Sequence, residues 1–339
     1  MKQMNQYKAK RILSVVITAI LVMAILTGCM GGEDYSSYLD AVNKTEDIQS
    51  GVDKVEVIVQ SKFNEALLQK IDKEDADAFR QLGLVKVTLE DRFNHADKQS
   101  IYDVFYFSNT LGMDFKVFMK GPSEVYLKLP FMSDIYAVGE AFKGFSDEPE
   151  DLSTFFKGVG LSWSSMLKAE NIFIGEKTII KNDDGEVKAT KFSVKPTSAQ
   201  LDSFLRQLRE EILANKETLF TYLMDMQYSD GENTMSESDF ETIVEAIFNS
   251  MTITRYEETA FVDLDGYIID EMVTIELKYA TSETFNNLFD TQTISIPTTR
   301  WDIERNQELD FSILEDAEIK PIENLNEWSV TPLLSLQRT

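Results

Sequence analysis

Runs of period-two alternation, joined by turns too short for a crossover, constrain this chain most. Val55, Val57, Val59 and Phe63 alternate with Lys54, Glu56, Gln60 and Lys62, the pattern of a half-buried strand. Leu84–Leu89 and Ile101–Phe107 read as two more. Met113, Phe115, Val117 and Met119 alternate with Asp114, Lys116 and Lys120, and Val125, Leu127 and Leu129 with Tyr126 and Lys128. The connections Asn109–Gly112 and Gly121–Ser123 leave no room for a helix, so these neighbours are antiparallel. A hairpin is expected over 172–194, turning at Asn182-Asp183-Asp184-Gly185. Later strands cover 252–262 and 267–279, with a short one over 292–296 that stops at Pro297.

Helices interrupt these runs without alternating with single strands. Tyr35, Tyr38, Leu39 and Val42 form one helical face near the start. Residues 64–82 and 131–170 read as helical or irregular. Thr197 and Gln200 have capping-box spacing ahead of the face Leu201, Phe204, Leu205, Leu208 and Ile212. Ser238 and Glu241 repeat that spacing beside Phe240, Ile243, Val244 and Ile247. The count is about ten strands and a handful of helices, an α+β fold with a large antiparallel sheet packed on several helices. The parallel sheets of periplasmic substrate-binding folds are disfavoured.

The first 28 residues read differently. Lys2, Lys8, Lys10 and Arg11 precede an uncharged stretch from Ile12 to Leu26, followed by Thr27-Gly28-Cys29. That is the layout of a secretory signal, and a permanent span needs about 20 apolar residues. Leu26-Thr27-Gly28-Cys29 resembles the lipobox of bacterial lipoproteins. The resemblance implies cleavage before Cys29 and a covalent diacylglycerol on its thiol, with no other cofactor. Cys29 is the only cysteine, so no intramolecular disulfide can form. The expected organisation is a signal peptide over 1–28, a lipidated leash over 29–33, one domain over 34–320 and an irregular tail over 321–339.

Removing the four basic residues of 1–28 leaves 29 basic against 58 acidic residues, a net charge near −29. Such a surface disfavours nucleic acid and a basic patch that hugs anionic lipid. Twenty-two Phe and 12 Tyr against 3 Trp fit a folded apolar interior better than an open sugar-stacking surface.

Chemistry-bearing patterns are sparse. His95, the one histidine, lies in the polar turn Asn94-His95-Ala96-Asp97 and has no partner in sequence for a catalytic triad or a zinc site. Asp263-Leu264-Asp265-Gly266 and Asp183-Asp184-Gly185 read as hairpin turns and not as calcium loops, since the twelfth position counted from Asp263 is Thr274. No catalytic residue and no metal site is assigned.

The order of elements, with the lipobox, is similar to that of the LolA/LppX-type lipoprotein fold and of uncharacterised Gram-positive lipoproteins. Local strings carrying the resemblance are Ala41–Thr45, Phe261–Ile268 and Ile294-Ser295-Ile296-Pro297, within a span of 34 to 315. It implies a curved half-barrel whose concave face holds acyl chains or another apolar ligand. Met113, Phe115, Val117, Met119, Val125, Leu127 and Leu129 are the candidate lining residues. The expected function is a non-catalytic, membrane-anchored extracytoplasmic binding protein for an apolar ligand, lipid or lipoprotein, on the outer face of the bacterial cell membrane. Two alternatives stay open: a ligand-free interaction module for an envelope protein partner, and a hydrolase working through paired carboxylates.

Overall fold

The computed structural model describes residues 36–321 except 109–110, 122–123, 131–133, 138–154, 156–157, 161, 164, 227–235, 281–287, 306–307 and 316. Cys29, the leash, Tyr35 and the tail beyond Pro321 lie outside the described residues. Twelve strands form one sheet in the order β12-β6-β5-β4-β3-β2-β1-β11-β10-β9-β8-β7. They are β1 (Ser50–Phe63), β2 (Leu84–Asn94), β3 (Gln99–Ser108), β4 (Leu111–Gly121), β5 (Glu124–Lys128) and β6 (Ile135–Ala137). Then follow β7 (Ile172–Asn182), β8 (Gly185–Val194), β9 (Met251–Asp263), β10 (Ile268–Tyr279), β11 (Phe289–Trp301) and β12 (Ile319–Pro321). The α+β class and the large antiparallel sheet are therefore as expected.

Two antiparallel runs, β2–β6 and β7–β11, are joined through β1, and the second run is itself interrupted by α-helices between β8 and β9. β1 lies between β2 and β11, with Val52 opposite Trp301 and Val59 opposite Ile294. Every pair is antiparallel except β12 with β6. The two strands beyond the expected ten are these short ones. β6 falls in a stretch read as helical or irregular, and β12 ends on Pro321.

Two further expectations are corrected. The strand expected to end at Pro297 runs on to Trp301. Proline lacks the N–H that a ladder needs, and the β1–β11 register is interrupted there: it goes from Val55↔Thr298 to Ile58↔Ser295. On the other side Met272 still faces Pro297. The second capping box uses Ser236 and Asp239, not Ser238 and Glu241. The Ser236 hydroxyl accepts from the Asp239 N–H at 3.1 Å, and Asp239 Oδ2 accepts from the Ser236 N–H at 3.1 Å. The shorter Asp closes the box, which starts the helix earlier.

The helices used below are α1 (Ser36–Glu46), α2 (Glu65–Leu68), α3 (Lys73–Gln81), α4 (Ser198–Ala214), α5 (Lys216–Met226), α6 (Glu237–Ser250) and α7 (Ser312–Glu315). Thr197 and Gln200 form the expected capping box of α4. Both hairpin turns close on a glycine with positive φ, Gly185 at 101° and Gly266 at 91°. That is the conformation glycine adopts at least cost.

The face of the sheet carrying Val55, Val57 and Val59 is called inner. Over β8–β11, α4 and α6 bury Phe204, Leu208, Phe240 and Val244 against Val194, Val273, Ile275 and Ile294. Each such side chain contributes about 1.5–3 kcal/mol on burial. α1 adds Tyr38, Leu39 and Ala41 to the same core. α2 and α3 close a second cluster at one end around Phe63, Leu68 and Phe79. A third cluster lies on the outer face, where Phe311 and Leu314 cover Ile101, Phe118 and Ile135. Phe118 thus lies among the lysines of β4 without being exposed.

Candidate functional site

Because partners in an antiparallel ladder share a face, the register says which candidate residues meet. Val117 faces Leu127 and Met119 faces Val125, which places β4 and β5 candidates on one surface. Across β3 that surface continues through Tyr102↔Val117, Val104↔Phe115 and Tyr106↔Met113. Val87↔Tyr106 and Leu89↔Val104 extend it into β2. Six of the seven candidates therefore lie on the inner face of one ladder. Leu129 lies just past the end of β5 and has no ladder partner among the described strands.

Val125 and Leu127 are buried, whereas Met113, Phe115, Val117, Met119 and Leu129 are half-buried. The core beneath α4 and α6 reaches Val55, Val57 and Val59 of β1. Among the described residues it takes in none of Leu89, Val104, Phe115 or Val117. Among the described residues, cavities lie elsewhere. One, of about 450 Å³, lies on the outer face between Arg92, Phe93, Lys116 and the 308–313 segment. Another, of about 600 Å³, lies between α4 and α6 beside Arg206, Arg209 and Asn249.

Charged side chains continue the apolar inner face at one end. Tyr102, Asp91, Asp53 and Arg300 are successive partners across β3, β2, β1 and β11. Arg300 Nε is 3.6 Å from Asp53 Oδ1, its Nη1 is 3.8 Å from Glu271 Oε2, and Nη1 donates to the Ile268 carbonyl at 3.2 Å. On β9, Glu258 is buried and accepts from two tyrosines: Tyr256 at 2.6 Å, and Tyr38 of α1 on the other oxygen. Burial pushes the Glu258 carboxyl up to about 7, reinforced by neighbouring Glu271 and opposed by the two tyrosines. Burial and then Asp53 push Asp91 up to about 7. Asp53 and Glu271 are raised by burial and held back by Arg300. Asp91 Oδ1 and Thr298 Oγ1 are buried without a hydrogen-bond partner. At the opposite end, the Tyr279 hydroxyl donates to Gln292 Oε1 at 2.5 Å, and Gln292 Nε2 donates to Ser61 Oγ at 3.0 Å. The apolar stripe is thus bounded by polar rows at both ends.

This row of acids was not singled out from sequence, although a signal was present. Asp53 is two residues before Val55, Asp91 two after Leu89, and Glu271 two before Val273. Each keeps the inward parity of its strand. His95 lies in its turn as expected, exposed, its ring stacked on Phe93 with centroids 4.6 Å apart. Among the described residues no group of three or more His, Cys, Asp or Glu is placed to hold a metal ion.

No family model matches this sequence, and no curated protein does. Among solved structures, the LolA superfamily protein NE2245 from Nitrosomonas europaea aligns over 84% of this chain and 97% of its own. The identity is 8% and the TM-score 0.21, and no residue role is carried across from it.

Proposed function

We propose a non-catalytic binding protein, lipid-anchored on the outer face of the cell membrane, that takes an apolar ligand, a lipid or lipoprotein chain, on the inner face of β2–β5. One observation carries the binding half of this reading. Leu89, Val104, Phe115 and Val117 form contiguous ladder rows, yet are half-buried and outside the described packing clusters. An apolar surface flanked by a few polar groups suits an acyl chain. The anchoring half rests on the lipobox-like Leu26–Cys29, where a thioether-linked diacylglycerol would supply two acyl chains and about 0.8 kcal/mol per buried methylene.

The two halves are tested apart. Cells given a tagged fatty acid should label the parent chain and not Cys29→Ala. Native mass spectrometry of the full chain purified from membranes should show a bound lipid beyond the covalent one. Phe115→Asp with Val117→Asp should lose that lipid while keeping a cooperative thermal transition. A parent chain that carries no second lipid ends the ligand reading, and capture of an envelope protein on the same face would put an interaction module in its place.

A further inference from the structure

The edge strand β7 is unlike the other long strands. It ends the sheet and is exposed along nearly its whole length. Ile174 is 68% exposed and Ile179 56%, both on the inner side of the ladder, whereas Phe173 points to the other side with its partner Ser193. Lys177, Lys181 and the β8 residue Lys188 share the inner side, since Lys177 faces Thr190 and Ile179 faces Lys188 in the ladder. That side carries three lysines against Glu186, which pairs with Lys181 at 3.2 Å, and Glu176 of the bulge, within a chain of net charge −25. The acids of the hairpin turn are partly drawn away: Asp184 pairs with Arg305 at 2.8 Å and accepts from the Asp302 N–H.

We propose that this face of the β7–β8 hairpin rests on the anionic phospholipid surface to which the chain is tethered. The inference depends on the anchoring reading above and adds which side of the protein meets the bilayer. Three observations favour a bilayer over another occupant. Lysines and the bulge between Ile174 and Lys177 guard an edge against pairing with a second strand. Guarding does not call for two exposed isoleucines on the same side as the lysines, whereas an interface of lipid headgroups takes both apolar groups and lysines.

The second observation is where the chain enters the fold. The Tyr38 ring of α1 lies 5.6 Å from that of Phe192, and Phe192 is the ladder partner of Ile174. Ser36, where α1 begins, is two residues upstream. Cys29 precedes it by seven residues, a reach of at most about 25 Å. A lipid on Cys29 therefore keeps this hairpin close to the membrane. The third is charge: the net acidity of the whole chain disfavours an anionic surface, and this hairpin is a local exception that gives a preferred orientation.

The test uses the lipidated full chain, whose Cys29 thiol is consumed by the thioether, so that the parent takes no thiol label. A fluorophore is placed at Ile179→Cys or, as reference, at Met272→Cys, an exposed position on the outer side of β10. Each protein is reconstituted into phosphatidylcholine vesicles with and without phosphatidylglycerol, containing brominated lipid as quencher. Quenching at 179 should exceed that at 272 severalfold on anionic vesicles. It should fall toward the 272 level in Lys177→Glu/Lys181→Glu/Lys188→Glu and at high salt. Equal quenching at both positions, in protein that floats with the vesicles, overturns the orientation and leaves anchoring intact. A 179 label crosslinked to a second polypeptide and unquenched by lipid also overturns it. A parent chain that takes label at Cys29 and does not float overturns anchoring and this inference together.

Discussion

The two halves of the inner face use the same residue types in the same ladder geometry and reach different degrees of burial. Val273, Ile275, Ile294 and Ile296 on β10 and β11 are at most 1% exposed. Val104, Phe115 and Val117 on β3 and β4 remain half-buried. Their strands alternate equally well, so the difference comes from what lies across the face. α4 and α6, encoded between β8 and β9, bring Phe204, Leu208, Phe240 and Val244 over one half. Strand pattern decides which side chains point inward, and the helices decide how tightly they are packed.

Truncations in the two halves should separate them most. Phe204→Ala and Ile275→Ala each remove a fully buried side chain and should cost about 3–5 and about 2–5 kcal/mol, seen as a lower urea midpoint. Val117→Ala should cost only about 1 kcal/mol, because the methyls it removes are half in water. A Val117→Ala penalty equal to that of Ile275→Ala would mean that β4 is packed as densely as β10. The proposed ligand surface would then be lost.

Each half also holds one strongly shifted carboxyl, and these offer a smaller, pH-dependent comparison. Glu258 lies beneath α1 on the packed half, and Asp91 lies on β2 in the other. Both titrate at about 7 when folded, above the usual carboxylate range. The folded protein therefore holds these protons more tightly than the unfolded chain does. Their contribution is fully present below the unfolded pKa near 4 and is lost as pH rises to about 7. Stability should drop by about 3 kcal/mol per group between pH 4 and 8, read as a falling thermal midpoint. Glu258→Gln and Asp91→Asn should each flatten part of that slope and be more stable than the parent at pH 8. A midpoint that rises over the same range would show that the raised carboxyls do not govern it.

Much of this was legible along the chain, because alternation and turn residues are local signals. Both Asp–Gly hairpins and the α4 cap follow from adjacent residues. The place of β1 between β2 and β11 was not, since it depends on pairing between the two ends of the fold. Pro297 misled for a related reason. A proline reads as a strand end until the strand on each side is known, and here its missing donor falls at a gap in the β1 ladder. The inward acids were hidden by number: among 58 acidic residues, Asp53, Asp91 and Glu271 stand out only once the apolar face of each strand is extended by one step. Six of the seven candidates share one ladder face by parity, but parity carries no information about what covers them or what they bind.

The smallest effects test the helices that create the contrast. Thr197 and Ser236 each close a capping box, at the starts of α4 and α6. Replacing either by alanine leaves an N–H of the first turn without its side-chain acceptor and should cost about 1 kcal/mol. Ser238 lies inside the first turn of α6, where its carbonyl accepts from the Thr242 hydroxyl at 2.8 Å, and that bond survives loss of the side chain. Ser238→Ala should therefore change stability by less than about 0.5 kcal/mol. Because α4 and α6 cover only one half of the sheet, the Thr197 and Ser236 variants should speed hydrogen exchange in β9 and β10 more than in β3 and β4. Equal acceleration in all four strands would show that the two halves open as one cooperative unit, and the contrast between them would then be one of packing alone and not of local stability.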